Sequence, residues 1–173
     1  MTAVNARALS MALVGGIATV LFYSEGFLLW AGLVGWAAFL SAGGDGAAFK
    51  KSVIGTSFGA LLGWVTLLLM LYVTIPDGSW LWMPRTGLAV AVSLLILGLA
   101  GSSKALSDIP LALYGYATLI GGSTIVVEEV TRGEKLLALH QYNPLILVVL
   151  SMFGGAVFGL ASKKLADTLT SKA

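Results

Sequence analysis

Apolar residues run along this chain in six long blocks, and no charged side chain interrupts the centre of any of them. A helix that crosses the roughly 30 Å hydrocarbon core of a bilayer needs about 20 mainly apolar residues, each rising about 1.5 Å. The blocks Ala8 to Tyr23, Phe27 to Ala42, Ser52 to Ile75, Trp82 to Gly101, Ile109 to Val127 and Pro144 to Ala161 are each expected to form one such span. Turn and helix-end residues separate them: "SEG" at 24–26, "GGDG" at 43–46, "PDGS" at 76–79 and "GSS" at 101–103. Asp108 stands ahead of Pro110 as a helix cap, and Asn143 is a preferred N-cap before a proline at the first helical position. The pattern predicts an all-α membrane protein, with residues 1–173 forming a single integral membrane domain.

The second block and the fifth share a phrase. An offset of 80 lays Gly35, Trp36, Ala37, Ala38 and Phe39 over Gly115, Tyr116, Ala117, Thr118 and Leu119. "GALLG" at 59–63 and "GAVFG" at 155–159 echo each other in the third and sixth blocks, behind Phe58 and Phe153. Two three-helix repeats are therefore expected, about 7–76 and about 82–165. Because each copy holds an odd number of spans, the second enters the membrane from the opposite side, which makes the repeats inverted. In such folds the sites gather near the midplane, so the duplicated phrase marks the expected lining of a pathway. Gly59, Gly63, Gly155 and Gly159 have a packing role, since small residues let helices approach closely in lipid.

Composition sharpens this reading. The chain is 58% hydrophobic and 10% charged, with a mean hydropathy of +0.95; an ordinary soluble domain is about 25% charged. With no cysteine and one histidine, His140, disulfides, thiolate nucleophiles and conventional zinc or iron–sulfur sites are excluded. There is no phosphate-binding loop and no dinucleotide fingerprint, so no cofactor, no metal and no enzymatic activity is expected. A net charge of +2 from so few ionisable groups gives no ground for a nucleic-acid partner. The cations instead set orientation. With the N-terminus inside, Arg7, Lys50, Lys51, Lys104, Lys163, Lys164 and Lys172 are cytoplasmic, against Arg85, Arg132 and Lys135 outside. Both termini are then cytoplasmic, and the first block, which lacks a clear cleavage site, is expected to be retained.

Inside the spans the polar groups are neutral. Ion-coupled carriers keep ionisable side chains there despite the cost of inserting them, so coupling to protons or sodium is disfavoured. Trp36, Phe39, Ser41, Tyr114, Tyr116 and Thr118 are the candidates for lining a pore that replaces the hydrogen bonds of an uncharged solute. The competing reading of each serine and threonine is a bond to its own helix backbone. Trp30, Trp80 and Trp82 suit the membrane interface. His140 and the segment "EKLLALH" at 134–140 belong to a polar outer loop, 128–143, whose role stays open between a surface helix and a plain connection.

At "LLWAGLVGWAAFLSAGGDGAAFKKSVIGTSFGALLGWV", "SDIPLALYGYATLIGG" and "LSMFGGAVFGLASKK" the chain resembles the bacterial inner-membrane proteins of the YcdZ type, a domain-of-unknown-function family. The resemblance covers most of the chain and rests on Ile109, Pro110, Tyr114, Gly115 and Tyr116 and on glycine, small and aromatic residues at fixed spacings. It implies a multi-pass location in the bacterial inner membrane, and it implies no activity. The outer loop before the sixth block is longer here than in that family.

The expected function is a passive channel or facilitator for a small neutral polar solute of the urea, amide or ammonia class. The alternative is a non-transporting structural or accessory subunit of a membrane complex. The expected partners are the lipid bilayer and further copies of the chain in a closed homo-oligomer.

Overall fold

The computed structural model describes residues 1–72, 82–126, 136–138 and 143–171. They form α1 (Ala3–Ser24), α2 (Leu29–Ser41), α3 (Gly46–Tyr72), α4 (Trp82–Ala100), α5 (Ile109–Val126) and α6 (Pro144–Ser171), with no strand among the described residues. Three helices, α1, α3 and α6, are long and apolar enough to cross a membrane. The 13 residues of α2 rise only about 20 Å, less than the hydrocarbon thickness.

Local chemistry explains where the helices depart from the apolar blocks. The Thr2 hydroxyl accepts the Asn5 N–H at 3.3 Å and starts α1 ahead of Ala8. Asp45 Oδ1 accepts the Ala48 N–H at 2.7 Å, so α3 begins at Gly46 and carries Lys50 and Lys51 on its first turns rather than starting at Ser52. Hydropathy marks where a bilayer would begin, whereas a cap marks where the helix does. Beyond Ala161 nothing stops α6: no glycine or proline follows Gly159, Lys163 pairs with Asp167 at 3.5 Å, and the helix runs on to Ser171. Asn143 Oδ1 accepts the Leu145 N–H at 2.9 Å and caps α6, while at α5 the Asp108 backbone carbonyl accepts the Leu111 N–H at 3.1 Å. Between α2 and α3 the chain reverses through Gly43 and Gly44, both at positive φ (116° and 69°). The turn at 76–79, Trp80, Glu128, Glu129 and His140 lie outside the described residues.

The chain forms two compact units, Met1–Val53 with Leu150–Ala173, and Ile54–Val149. In the first unit, Phe39, Ala48 and Ala156 form the core, flanked by Phe49, Val53 and Leu160. Phe49 packs its ring edge-to-face against both Phe39 and Phe153, with centroids 6.5 and 5.9 Å away. In the second unit the core is Leu62, Leu97, Ala112 and Tyr116, with Phe58 and Ile120 against it. There the short segment 136–138 is tied down by side chains: Trp64 Nε1 donates to the Leu136 carbonyl, and Asn143 Nδ2 to those of Leu136 and Ala138.

Candidate functional site

The glycines decide how the helices meet. In the first unit α2 crosses α6 so tightly that a Cβ on Gly155 would overlap the Gly32 carbonyl oxygen, and one on Gly35 would overlap that of Met152. A Cβ on Gly159 would stand 2.7 Å from Phe39 Cδ1 and 2.8 Å from Trp36 Cδ1. The second unit contains a crossing of α5 with α3 built the same way. A Cβ on Gly59 would overlap the Ala112 carbonyl oxygen, and one on Gly115 that of Thr56. A Cβ on Gly63 would stand 3.1 Å from the Tyr116 carbonyl oxygen and 3.3 Å from Leu119 Cδ2. With no hydrophobic effect between helices in lipid, contact of this kind is what holds apolar helices together.

The two crossings correspond residue by residue. Adding 80 turns Gly32, Gly35, Trp36 and Phe39 into Ala112, Gly115, Tyr116 and Leu119. Subtracting 96 turns Met152, Gly155 and Gly159 into Thr56, Gly59 and Gly63. The third helix of each unit meets its neighbour at corresponding places on α6 and α3, although Ser10 and Ser93 themselves lie 83 apart rather than 80. Ser10 on α1 meets Ser162 on α6, hydroxyl to hydroxyl, at 3.1 Å, and Ser93 on α4 meets Thr66 on α3 at 2.6 Å, where 162 less 96 is again 66. These hydroxyl pairs escaped the reading of the sequence, although it carries their signal: each stands three residues after the second glycine of its phrase, Gly159 to Ser162 and Gly63 to Thr66.

Two buried side-chain polar atoms lack a hydrogen-bond partner among the described residues, Trp36 Nε1 and Tyr116 Oη. They belong to the pair that the offset of 80 relates, and each residue is 6% exposed. A buried donor without a partner costs roughly 1–3 kcal/mol, so one at each of two matched positions is a feature to be explained. The other candidates are placed differently. Phe39 is fully buried in the core of its unit and Thr118 is also buried, whereas Tyr114 is exposed. Ser41 is exposed and gives its hydroxyl to the Ala38 carbonyl at 2.9 Å. Thr19 and Ser123 likewise bond carbonyls of their own helices, and Ser151 accepts the Leu28 N–H at 3.0 Å.

Beside Trp36 the first unit holds a cavity of about 400 Å³. Arg7 and Ser10 of α1, Trp36 of α2, and Ser162, Lys163 and Asp167 of α6 line it, with Met11, Leu40 and the glycine turn completing the wall. The sequence pattern gave Arg7 and Lys163 only a role in orientation. The extension of α6 past Ala161 is what brings Ser162, Lys163 and Asp167 to this place. Among the described residues no three metal-ligating side chains come together.

The model of the family described as Protein of unknown function (DUF1097) matches residues 8–167. No curated protein and no solved structure matches the chain.

Proposed function

We propose, from the premise that the chain belongs to the family Protein of unknown function (DUF1097), that it is a passive channel or facilitator for a small neutral polar solute. The solute is of the urea, amide or ammonia class. The protein sits in the bacterial inner membrane as six spans in two inverted three-helix repeats, about 7–76 and about 82–165, with both termini cytoplasmic. Three helices of crossing length and apolarity and the two corresponding crossings support this arrangement. Each unit then combines the first and second helices of one repeat with the third helix of the other. Because α2 is short, further copies of the chain in a closed ring would shield it where it fails to reach across the bilayer.

One observation carries the functional reading: the unpartnered donors Trp36 Nε1 and Tyr116 Oη at matched positions. A carbonyl oxygen or an amine lone pair completes such a donor without the dehydration that an ion demands. Both atoms are closed to solvent in this state, so a solute reaches them when the ring swings aside, Trp36 from its seat on Gly159 and Tyr116 from its place in the cluster with Leu62 and Leu97. The two donors are themselves neutral, so neither carries a charge that would couple the flow to a gradient.

The test is stopped-flow light scattering on proteoliposomes challenged with urea, acetamide, glycerol and water. The expected outcome is faster entry of at least one small amide or urea than into empty vesicles. Rates equal to those of empty vesicles for every solute would remove the reading and leave the accessory-subunit role, which a stoichiometric foreign subunit in a mild-detergent pull-down would identify.

A further inference from the structure

The cavity beside Trp36 has a chemistry that a neutral solute does not use. Two cations line it, Arg7 and Lys163, against one carboxylate, Asp167. Asp167 lies 3.5 Å from the Lys163 ammonium with its side chain 68% exposed, well outside the roughly 2.7–2.9 Å of a charge-assisted hydrogen bond. Arg7 makes no ion pair among the described residues. Among the described residues the cavity therefore presents a guanidinium fork and an ammonium with one loosely held counter-charge. Apart from the Trp36 indole, its other side-chain walls are apolar or already bonded. Ser10 and Ser162 face each other, and Met11 and Leu40 stand about half exposed, level with the apolar surfaces of α1 and α2.

We infer that this cavity binds a phosphate group. Arginine and lysine are the paired binders of phosphate, one by its fork and the other as a point charge. A volume of about 400 Å³ admits a group the size of a glycerophosphate. The exposed apolar side chains at its edge supply a surface along which an acyl chain lies, so the phosphate of an anionic phospholipid fits the whole of the site. Basic pockets between helices on the cytoplasmic side bind lipid heads in this manner. Free phosphate would satisfy the cations alone and leave Met11 and Leu40 without a role. The inference is independent of the solute reading, since it uses neither Trp36 Nε1 nor Tyr116 Oη.

The experiment takes the delipidated full-length protein in detergent, with native mass spectrometry and thermal shift as readouts. The probes are dihexanoyl phosphatidylglycerol, dihexanoyl phosphatidylcholine and inorganic phosphate. Both lipids carry a phosphate, but the choline lipid adds a quaternary ammonium that Arg7 and Lys163 repel, so the phosphatidylglycerol is expected to bind about tenfold or more tightly. The double variant R7Q/K163Q should lose that preference, R7K/K163R should keep it to within about threefold, and K50Q/K51Q, which removes two cations outside the cavity, should leave it intact. Inorganic phosphate displacing the lipid at equal concentration would support the site with free phosphate as its source. Equal binding of the two lipids, or an equal loss in K50Q/K51Q and R7Q/K163Q, would overturn the inference.

Discussion

Gly59 and Ala112 meet backbone to backbone: the carbonyl oxygen of Ala112 fills the space that a Cβ at residue 59 would need. Gly155 stands in the same relation to Gly32. Neither obstacle is a side chain that can turn away, so Gly59→Ala and Gly155→Ala must push two helices apart. Each is expected to destabilise the protein by about 1–3 kcal/mol. Gly15 and Gly98 have nothing within 4 Å of an added Cβ, and alanine there is expected to be neutral or to stabilise by up to about 1 kcal/mol through helix propensity. Unfolding midpoints in detergent check both sets; four equal shifts would mean that the crossings hold nothing.

Tyr116→Phe separates stability from function. The substitution removes only the hydroxyl, whose oxygen is buried and unpartnered. If nothing else changes, stability should rise by about 1 kcal/mol, while entry of the preferred solute in the liposome assay should fall severalfold. A stabilised variant with undiminished permeation would show that the hydroxyl is no station for solute. Trp36→Phe should move permeation in the same direction, but it also removes ring volume above Gly159, so its stability change is the less informative of the two.

Much of the helical plan was readable because hydrophobicity is local. A block of apolar residues between glycine turns announces a helix without help from the rest of the chain, and the caps at Thr2, Asp45 and Asn143 belong to residue types that favour that position. Within "GGDG" the glycines signal a turn, and that signal masks the cap that Asp45 supplies. Which helices meet was not readable. The phrase "GALLG" tells that a close partner exists, and nothing in it tells that the partner is α5 rather than α2. That choice is made by long-range contacts such as Gly59 with Ala112 and Thr66 with Ser93. The cavity was hidden for a related reason: Arg7 and Lys163 lie far apart in the chain, and only the unpredicted length of α6 brings Lys163 to the site.

The hydroxyl pairs predict a measurable coupling. Thr66 and Ser93 approach to 2.6 Å, and both side chains are buried. A double-mutant cycle through T66A and S93A should return a coupling of about 0.6 kcal/mol, and at most about 1.7 kcal/mol, the range for hydroxyl bonds between helices in lipid. The Ser10–Ser162 pair, at 3.1 Å and beside the cavity, should couple less strongly. Zero coupling at Thr66–Ser93 would mean that each hydroxyl is satisfied by its own helix, through the Leu62 and Ala89 carbonyls.

Asn143 carries three hydrogen bonds, and one of them is shared in a way that makes its removal conditional. Its Oδ1 caps α6 through the Leu145 N–H, and its Nδ2 donates to Leu136 at 3.0 Å and to Ala138 at 2.8 Å. Asn143→Ala should cost about 2–4 kcal/mol, the sum of a lost cap and two lost bonds. Asn143→Ser keeps an acceptor for the cap and should cost about half as much. The Leu136 carbonyl still receives the Trp64 indole N–H at 2.9 Å, so after either single loss it retains one partner. Trp64→Phe together with Asn143→Ala leaves it none. That double variant should therefore be less stable than the sum of the single effects by about 1 kcal/mol, because the penalty for an unsatisfied carbonyl arises only when the second donor goes. Simple additivity of the two in urea or thermal unfolding would show that the Leu136 carbonyl finds another donor, leaving Asn143 to act through the α6 cap and the Ala138 carbonyl.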